Sequence, residues 1–408
     1  MEKKPSKTAF VIAEFNPFHN GHAALLRKAR ERTGADYVCI VLSGDFVQRG
    51  EAAVIEKFTR TRMALLNGAD LVLELPLYYS LGSAEYFALG SIALIGRLNV
   101  CDTLVFGSEL GDVMRLKRLA EALNDETRTF QMNLQLALKT GSDFPTARAK
   151  ALSLCLPEEH RGDVALLNEP NNLLAVEYLR RILKTKPAYD VLTLKRTSGI
   201  SSAQIRSSLT SAYGRLPKSK MPETCAVLLS EYERHSGYRY AMNAAFSEGL
   251  LYRLAFDSSD GLSRMVDVSD DLAGKIYKAL PSAGSFDALC EALHSKDLTA
   301  ARVKRALLHI FLQMPKDSLA EYVAQETVYA RVLGFRKDAQ PLLSRIKEES
   351  DIPLISKLTQ APKLLADDPK ALRLLQEDIR ASLVYEQCFR KADAYPIPSE
   401  FEKPVVVL

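Results

Sequence analysis

Through the first half of the chain, short runs rich in Val, Ile, Leu and Phe alternate with segments whose apolar positions recur every three or four residues. The runs "TAFVIAEF", "DYVCIVLSG", "ADLVLELP", "CDTLVFGSE" and "YDVLTLKR" predict strands. The segments "GHAALLRKARERTG", "KFTRTRMALLNG", "SAEYFALGSIALIGRL", "NNLLAVEYLRRILK" and "SSAQIRSSLTSA" predict helices. Gly34 closes the first helix, the second ends near Gly68, and Pro76 stops the third strand. Strands and helices alternating at this spacing predict parallel strands joined by right-handed crossovers. The expected fold class is therefore α/β, a doubly wound parallel sheet, whose ligands sit beyond the carboxyl ends of the strands.

The pattern changes after "GRLPKSKMPE". Residues 223–408 carry mainly amphipathic helical patterns, as in "TAARVKRALLHIFLQM" and "PKALRLLQEDIRASLVYEQCFRKA". A boundary near Lys218 predicts an α/β unit over 1–218 followed by a mainly α-helical unit over 219–408.

A chain of 408 residues is long enough for more than one domain. Its 47% hydrophobic and 25% charged residues fit a soluble globular protein. A formal net charge of +4 gives no global argument for nucleic-acid binding and leaves only a local basic patch to argue from. Six scattered cysteines, with no pair at zinc or redox spacing, read as buried thiols of a reducing, cytoplasmic compartment. The N-terminal apolar run ends at Glu14, too early for a signal peptide, and Leu71–Leu98 is broken by Glu74, Pro76, Glu85 and Arg97. No membrane partner is expected.

The candidate chemistry begins at "EFNPFHNGH", where the first strand turns into the first helix. His19 and His22, three residues apart, face the same side. Gly21 lets a phosphate approach the backbone, and the helix N-terminus supplies N–H donors. Two imidazoles there could donate hydrogen bonds to a pyrophosphate leaving group. A second corner, "KRTSGISSAQIRSSL", offers Ser201 and Ser202 as N-cap candidates and Arg206 one turn inside, a second anion-binding surface. Read without the first corner, it is equally a capped helix with a solvated arginine. "SGDFVQRGEAAVIEKFTR" follows a strand and should lie over the ligand-binding edge, with Gln48, Arg49 and Lys57 as candidate acceptor or phosphate contacts.

"NPFHNGH" together with "ISSAQIR" resembles the HxGH and SSTxxR pair of the nucleotidylyltransferase superfamily. The match extends through "LSGDFVQRGEAAVIEKFTRTRMAL", "GADLVLELP", "SAEYFALGSIALI", "FGSE", "NEPNNLLAVEYLR", "SEGLLYRL" and "YARVLGFRKDAQPLL". Together these blocks are similar to the bacterial tRNA(Met) cytidine acetate ligase family. The resemblance implies a HUP/nucleotidylyltransferase-like sheet, activation of acetate by ATP to acetyl-adenylate, and transfer of the acetyl group to N4 of the wobble cytidine of elongator tRNA(Met). His19, His22 and Arg206 become the catalytic candidates. Phe15, Asn16, Gly21, Gly107, Asn171, Asn172, Arg196, Ser201 and Ser202 are implied to form the ATP site. From the residues alone, Gly107 also reads as a strand-ending glycine, Asn172 as a helix cap after Pro170, and Arg196 as an exposed strand end.

Mg²⁺ is expected to bridge the phosphates, with the nucleotide supplying much of its coordination, because no acidic cluster suggests a protein metal cage. The helical half is implied to bind tRNA, through Arg302, Lys304 and Arg305 in "TAARVKRALL" and Arg331, Arg336 and Lys337 in "YARVLGFRKD", both taken as helical. Tyr329 or Phe335 is a candidate for stacking on a base. Read alone, these charge runs are solvated faces. The chain departs from the family in running directly from Arg196 through "TSG" to Ile200, where the family has a longer loop with a Tyr-His-Asp stretch. ATP binding should survive this shortening, and its effect is expected on the acceptor step. Two rival readings share the phosphate corners: a small-molecule adenylyl- or cytidylyltransferase, and an RNA-binding protein on a non-catalytic nucleotide fold.

Overall fold

The computed structural model describes residues 6–125, 127–140, 144–196, 201–210, 215–235, 237–295, 298–391 and 396–408. Residues 197–200, the loop expected to be shorter than in the family, lie outside them.

All five expected strands form. They are β1 (Thr8–Ala13), β2 (Tyr37–Ser43), β5 (Leu71–Leu75), β6 (Thr103–Ser108) and β7 (Asp190–Lys195). Between β2 and β5 lies a small antiparallel hairpin, β3 (Phe46–Val47) and β4 (Glu51–Ala52). The five long strands are parallel and lie in the order β5-β2-β1-β6-β7. β2 and β5 are almost wholly buried, because helices cover both faces of the sheet. That explains why they read as continuous apolar runs and not as alternating ones.

The order has a direct consequence. From β1 the chain winds outward through β2 to β5, then returns to the other side of β1 as β6. The direction of winding reverses between β1 and β6, which opens a crevice at their carboxyl ends. Glu14 to Asn16 and Gly107 to Glu109 stand at that crevice.

Most of the later half is helical, as expected, but it also builds the sheet. β8 (Ala330–Phe335) pairs antiparallel with β5, setting Phe335 against Leu71. β9 (Leu354–Ile355) and β10 (Val406–Val407) each pair parallel with β8. The compositional change near Lys218 is therefore not the end of the sheet. The reading of "YARVLGFRKD" as helix is corrected here: its first part is a strand. The cause is non-local, since β8 gains its hydrogen-bonding partner only when β5 is beside it.

A buried ionic network fastens this addition. Lys57 Nζ lies 2.7 Å from Glu74 Oε1 and 2.6 Å from Glu400 Oε1, and it donates to Ser382 Oγ at 2.8 Å. Arg331 reaches Glu74 Oε2 at 2.8 Å and Glu400 Oε1 at 2.9 Å. All four charged side chains are buried. Lys57 and Arg331 were expected to contact RNA; that is corrected, because both cations are enclosed and matched by two carboxylates. Tyr329 is likewise fully buried, hydrogen-bonded to Asp378, and cannot stack on a base. No helix among the described residues is long and apolar enough to cross a membrane.

Candidate functional site

β1 delivers the chain to the crevice, and six residues turn it into the helix Asn20–Thr33. Phe15 takes a left-handed φ of 47°, and its ring packs 4.8 Å from Phe18 and 4.9 Å from His22. His19 is the N-cap: its Nδ1 accepts the Gly21 N–H at 3.0 Å. His22 Nδ1 accepts the His19 N–H at 3.3 Å, and the two rings stack with centroids 3.8 Å apart. Both Nδ1 atoms are acceptors, so the proton of each neutral ring sits on Nε2. A side chain at residue 21 would place Cβ 2.8 Å from His19 Cε1. Glycine is thus required there by the capping ring itself, in addition to any approach by a phosphate.

His19 is almost completely buried, and burial, with Arg196 nearby, lowers its pKa to about 4. His22 is pushed well below the usual value by burial first, then by His19 and Arg196. Both rings are therefore uncharged N–H donors at neutral pH. Two buried donors here, His19 Nε2 and Asn16 Nδ2, have no hydrogen-bond partner among the described residues. An unpaired buried donor is costly, and an acceptor arriving from solution would satisfy it.

These groups border a cavity of about 780 Å³ over the carboxyl ends of the strands. The structure brings together around it Phe15, Asn16, Gly21, Gly107, Asn171, Arg196, Ser201, Ser202 and Arg206, with both histidines and, from the hairpin turn, Gln48 and Arg49. Asn172 is excluded, which corrects its expected place in the ATP site. Its buried side chain accepts the Leu110 N–H at 3.1 Å and braces the loop after β6. Gly107 lies within β6 and not after it; a Cβ there would sit 3.3 Å from Arg196 Cγ.

The two corners touch. Arg206 donates to the Asn16 carbonyl at 2.8 Å and pairs with Glu51 Oε2 at 2.9 Å. Ser201 Oγ is engaged as a cap by the Gln204 N–H at 3.2 Å, while Ser202 also faces the cavity. Glu51 Oε1 in turn meets Lys304 Nζ at 3.1 Å. The helix Ala300–Phe311 sits directly on the hairpin turn, where a Cβ at Gly50 would lie 2.5 Å from the Arg305 nitrogen.

The remaining expected RNA contacts do not converge. Arg305 is buried against Asp267 at 2.8 Å, which corrects its assignment as a surface contact. Arg302 and Lys304 are half-buried, Lys304 against the hairpin's Glu51, and Arg49 is exposed at the cavity mouth. Arg336 and Lys337 follow β8, next to the amino end of β5, so the sheet separates them from the cavity.

Sequence reasoning missed the acidic members of the site. Glu109 accepts the Asn171 N–H at 3.3 Å, the Asn171 side-chain amide at 2.5 Å and the Asn172 N–H at 2.8 Å. It satisfies the free N–H groups at the start of the helix Pro170–Thr185. Glu14 lines the cavity and accepts the Gln48 N–H at 2.9 Å. Its position directly before "FNPFHNGH" was the available signal. Lys28 and Lys195 add further positive charge to the wall.

The sequence profile of the HIGH nucleotidyl transferase family matches residues 7–396. The chain is 33% identical to the tRNA(Met) cytidine acetate ligase of Acetivibrio thermocellus, over 98% of this chain and 100% of that one. It is 36% identical to the enzyme of that name from Caldicellulosiruptor saccharolyticus, over 95% of this chain and 96% of that one. Among solved structures it is similar to Thermotoga maritima TmcAL bound with alpha-thio ATP, with a TM-score of 0.93 and 28% identity, covering 98% of this chain and 99% of that one.

Proposed function

Since the chain belongs to the tRNA(Met) cytidine acetate ligase family, we propose that the cavity binds ATP and acetate, forms acetyl-adenylate, and passes the acetyl group to N4 of the wobble cytidine of elongator tRNA(Met). The observation that carries the site assignment is the pair of unpartnered buried donors, His19 Nε2 and Asn16 Nδ2, in a wall that also holds Arg196 and Arg206. A triphosphate supplies the acceptors those groups lack.

Acetate is already an anion, so its attack on the α-phosphorus needs no base. The site has to overcome charge repulsion, align the attack and stabilise the departing pyrophosphate. Arg196, Arg206, Lys28 and Lys195 reduce the repulsion. The two imidazole N–H groups, already oriented by their Nδ1 bonds, meet charge as it develops and need no reorganisation. Mg²⁺ bound with the nucleotide would neutralise part of its charge. Among the described residues no group of three or more His, Cys, Asp or Glu side chains could hold a metal, and in this reading the phosphates would supply most of its ligands. Gln48 and Arg49, at the mouth, are the proposed contacts for the anticodon loop, and the protein acts in the cytoplasm with its tRNA.

ATP–pyrophosphate exchange with a panel of carboxylates tests the reading. Acetate-dependent exchange is expected. Exchange that requires a phosphate-bearing substrate would instead favour a small-molecule nucleotidylyltransferase.

The depressed histidine gives a further expected outcome. In the free protein His19 stays neutral down to about pH 4. A second proton would have to sit on Nδ1, which already accepts the Gly21 N–H. ATP binding is therefore expected to take up no proton at His19 between about pH 7 and pH 5. Calorimetry of the wild type and His19→Asn in buffers of different ionisation enthalpy checks this. Proton uptake in that window that disappears in His19→Asn would show that the ring meets the phosphates as a cation and not as a neutral donor.

A further inference from the structure

We propose that Glu14 is the proton acceptor for the cytidine amine in the acetyl-transfer step. The inference rests on the acetylation reading above and goes beyond it by assigning a group to its second half.

That half-reaction has a proton to move, unlike the first. The N4 lone pair attacks the acetyl carbon, and a C–N bond forms. The C–O bond to the adenylate breaks, and its electron pair leaves with the AMP phosphate. The phosphate needs no proton, so the surplus one on N4 must go to a base, and from there to solvent when product leaves.

The other candidates around the cavity are already committed. In both histidines Nδ1 accepts a backbone N–H and Nε2 carries the proton, and burial disfavours a second proton on either ring. Glu109 uses both carboxylate oxygens on the start of the helix Pro170–Thr185. Glu51, behind Arg206, is paired there and with Lys304. Glu169, another lining carboxylate, is exposed at the outer edge. Tyr178 is held in its neutral phenol form by burial.

Glu14 is different. It stands one residue beyond β1, at the crevice, with Oε1 fixed by the Gln48 N–H at 2.9 Å. Oε2 has no hydrogen-bond partner among the described residues, and the side chain lines the cavity. Its carbonyl is held by Arg60 at 2.7 Å, which steadies the backbone beneath it. The groups facing the carboxyl are Arg49 and Glu51 from the hairpin, Arg206 from the helix Ser202–Ser207, Tyr178 from the helix Pro170–Thr185, and Arg60 from the helix Lys57–Leu66. Burial is the largest influence and raises its pKa, opposed by the Gln48 N–H, Arg206 and Arg49, with Glu51 adding to the rise. A carboxylate with raised proton affinity is the better acceptor near neutral pH.

Single-turnover rates of acetyl-adenylate formation and of acetyl transfer, measured in the wild type, Glu14→Gln and Glu14→Asp, test the assignment. Glutamine keeps an oxygen for the Gln48 N–H, so a purely structural role survives in it. The ratio of transfer to formation is expected to fall on the order of a hundredfold or more in Glu14→Gln. Aspartate should restore part of it. In the wild type, transfer should rise with pH through a range above that of ordinary carboxylates, and that limb should vanish in Glu14→Gln. An unchanged ratio, a parallel fall of both steps, or an unchanged pH profile in Glu14→Gln would each overturn the assignment. If the wild type forms acetyl-adenylate but acetylates no cytidine, the acetylation reading itself falls, and this assignment with it.

Discussion

His19→Asn is expected to leave the protein folded and to slow acetate-dependent pyrophosphate exchange on the order of a hundred- to thousandfold. The two roles of His19 separate in this variant. As N-cap of the helix Asn20–Thr33 it accepts the Gly21 N–H through Nδ1. Asparagine is among the best N-caps, whereas alanine would cost about 1 kcal/mol. What asparagine cannot supply is a donor at the place of Nε2, the buried atom left without a partner. One such preorganised donor is typically worth about 3–4 kcal/mol of transition-state stabilisation. Thermal unfolding should show the cap preserved while the exchange assay shows the rate lost. Near-normal exchange would mean that the unpaired imidazole N–H does not meet the reacting phosphates.

Lys57→Met is expected to reduce folding stability by about 3–5 kcal/mol, the usual cost of leaving a buried charge unpaired. Glu74 and Glu400 would lose their closest cation, retaining Arg331 between them and, for Glu400, Lys403 at 3.3 Å. The denaturant midpoint measures the effect. The same network carries a pH dependence. Burial alone would raise Glu400, but Lys57 and then Arg331 hold its carboxyl far below the ordinary range. Its contribution is complete above the unfolded-state value and is lost as pH falls through the depressed one. A midpoint unchanged by Lys57→Met would return Lys57 to the list of solvent-facing cations.

That residue shows where sequence reading stops. "VIEKF" and "YARVLGF" place one cation each in unremarkable surroundings, and a lysine or arginine there reads as surface. Both are buried because Glu74 and Glu400, remote along the chain, close around them. Local pattern also hid β8, whose strand character depends on β5, and the hairpin, whose strands are only two residues each. β1, β2 and β5 were legible because burial on both faces writes an uninterrupted apolar run, whereas the edge strand β7 is only partly buried and was legible from the apolar and β-branched residues of "DVLTL". The two phosphate corners were legible for a related reason. A capping histidine, a glycine beneath its ring and a second histidine one turn on interact within four consecutive residues, so their spacing carries the geometry. Arg206 was found from its own motif, but its anchors, Glu51 and the Asn16 carbonyl, come from elsewhere in the chain. Glu14 and Glu109 were overlooked for a chemical reason: a search for an anion site looks for cations and donors, while these carboxylates orient the donors or stand ready for a proton.

The most direct measurement is mass analysis of nucleosides from elongator tRNA(Met) incubated with the protein, ATP, Mg²⁺ and ¹³C-labelled acetate. The expected result is N4-acetylcytidine carrying the label, formed only when ATP and acetate are both present, with AMP and pyrophosphate as co-products. ATP turnover with acetate that leaves the tRNA unlabelled, or label on any nucleoside other than cytidine, would contradict the account.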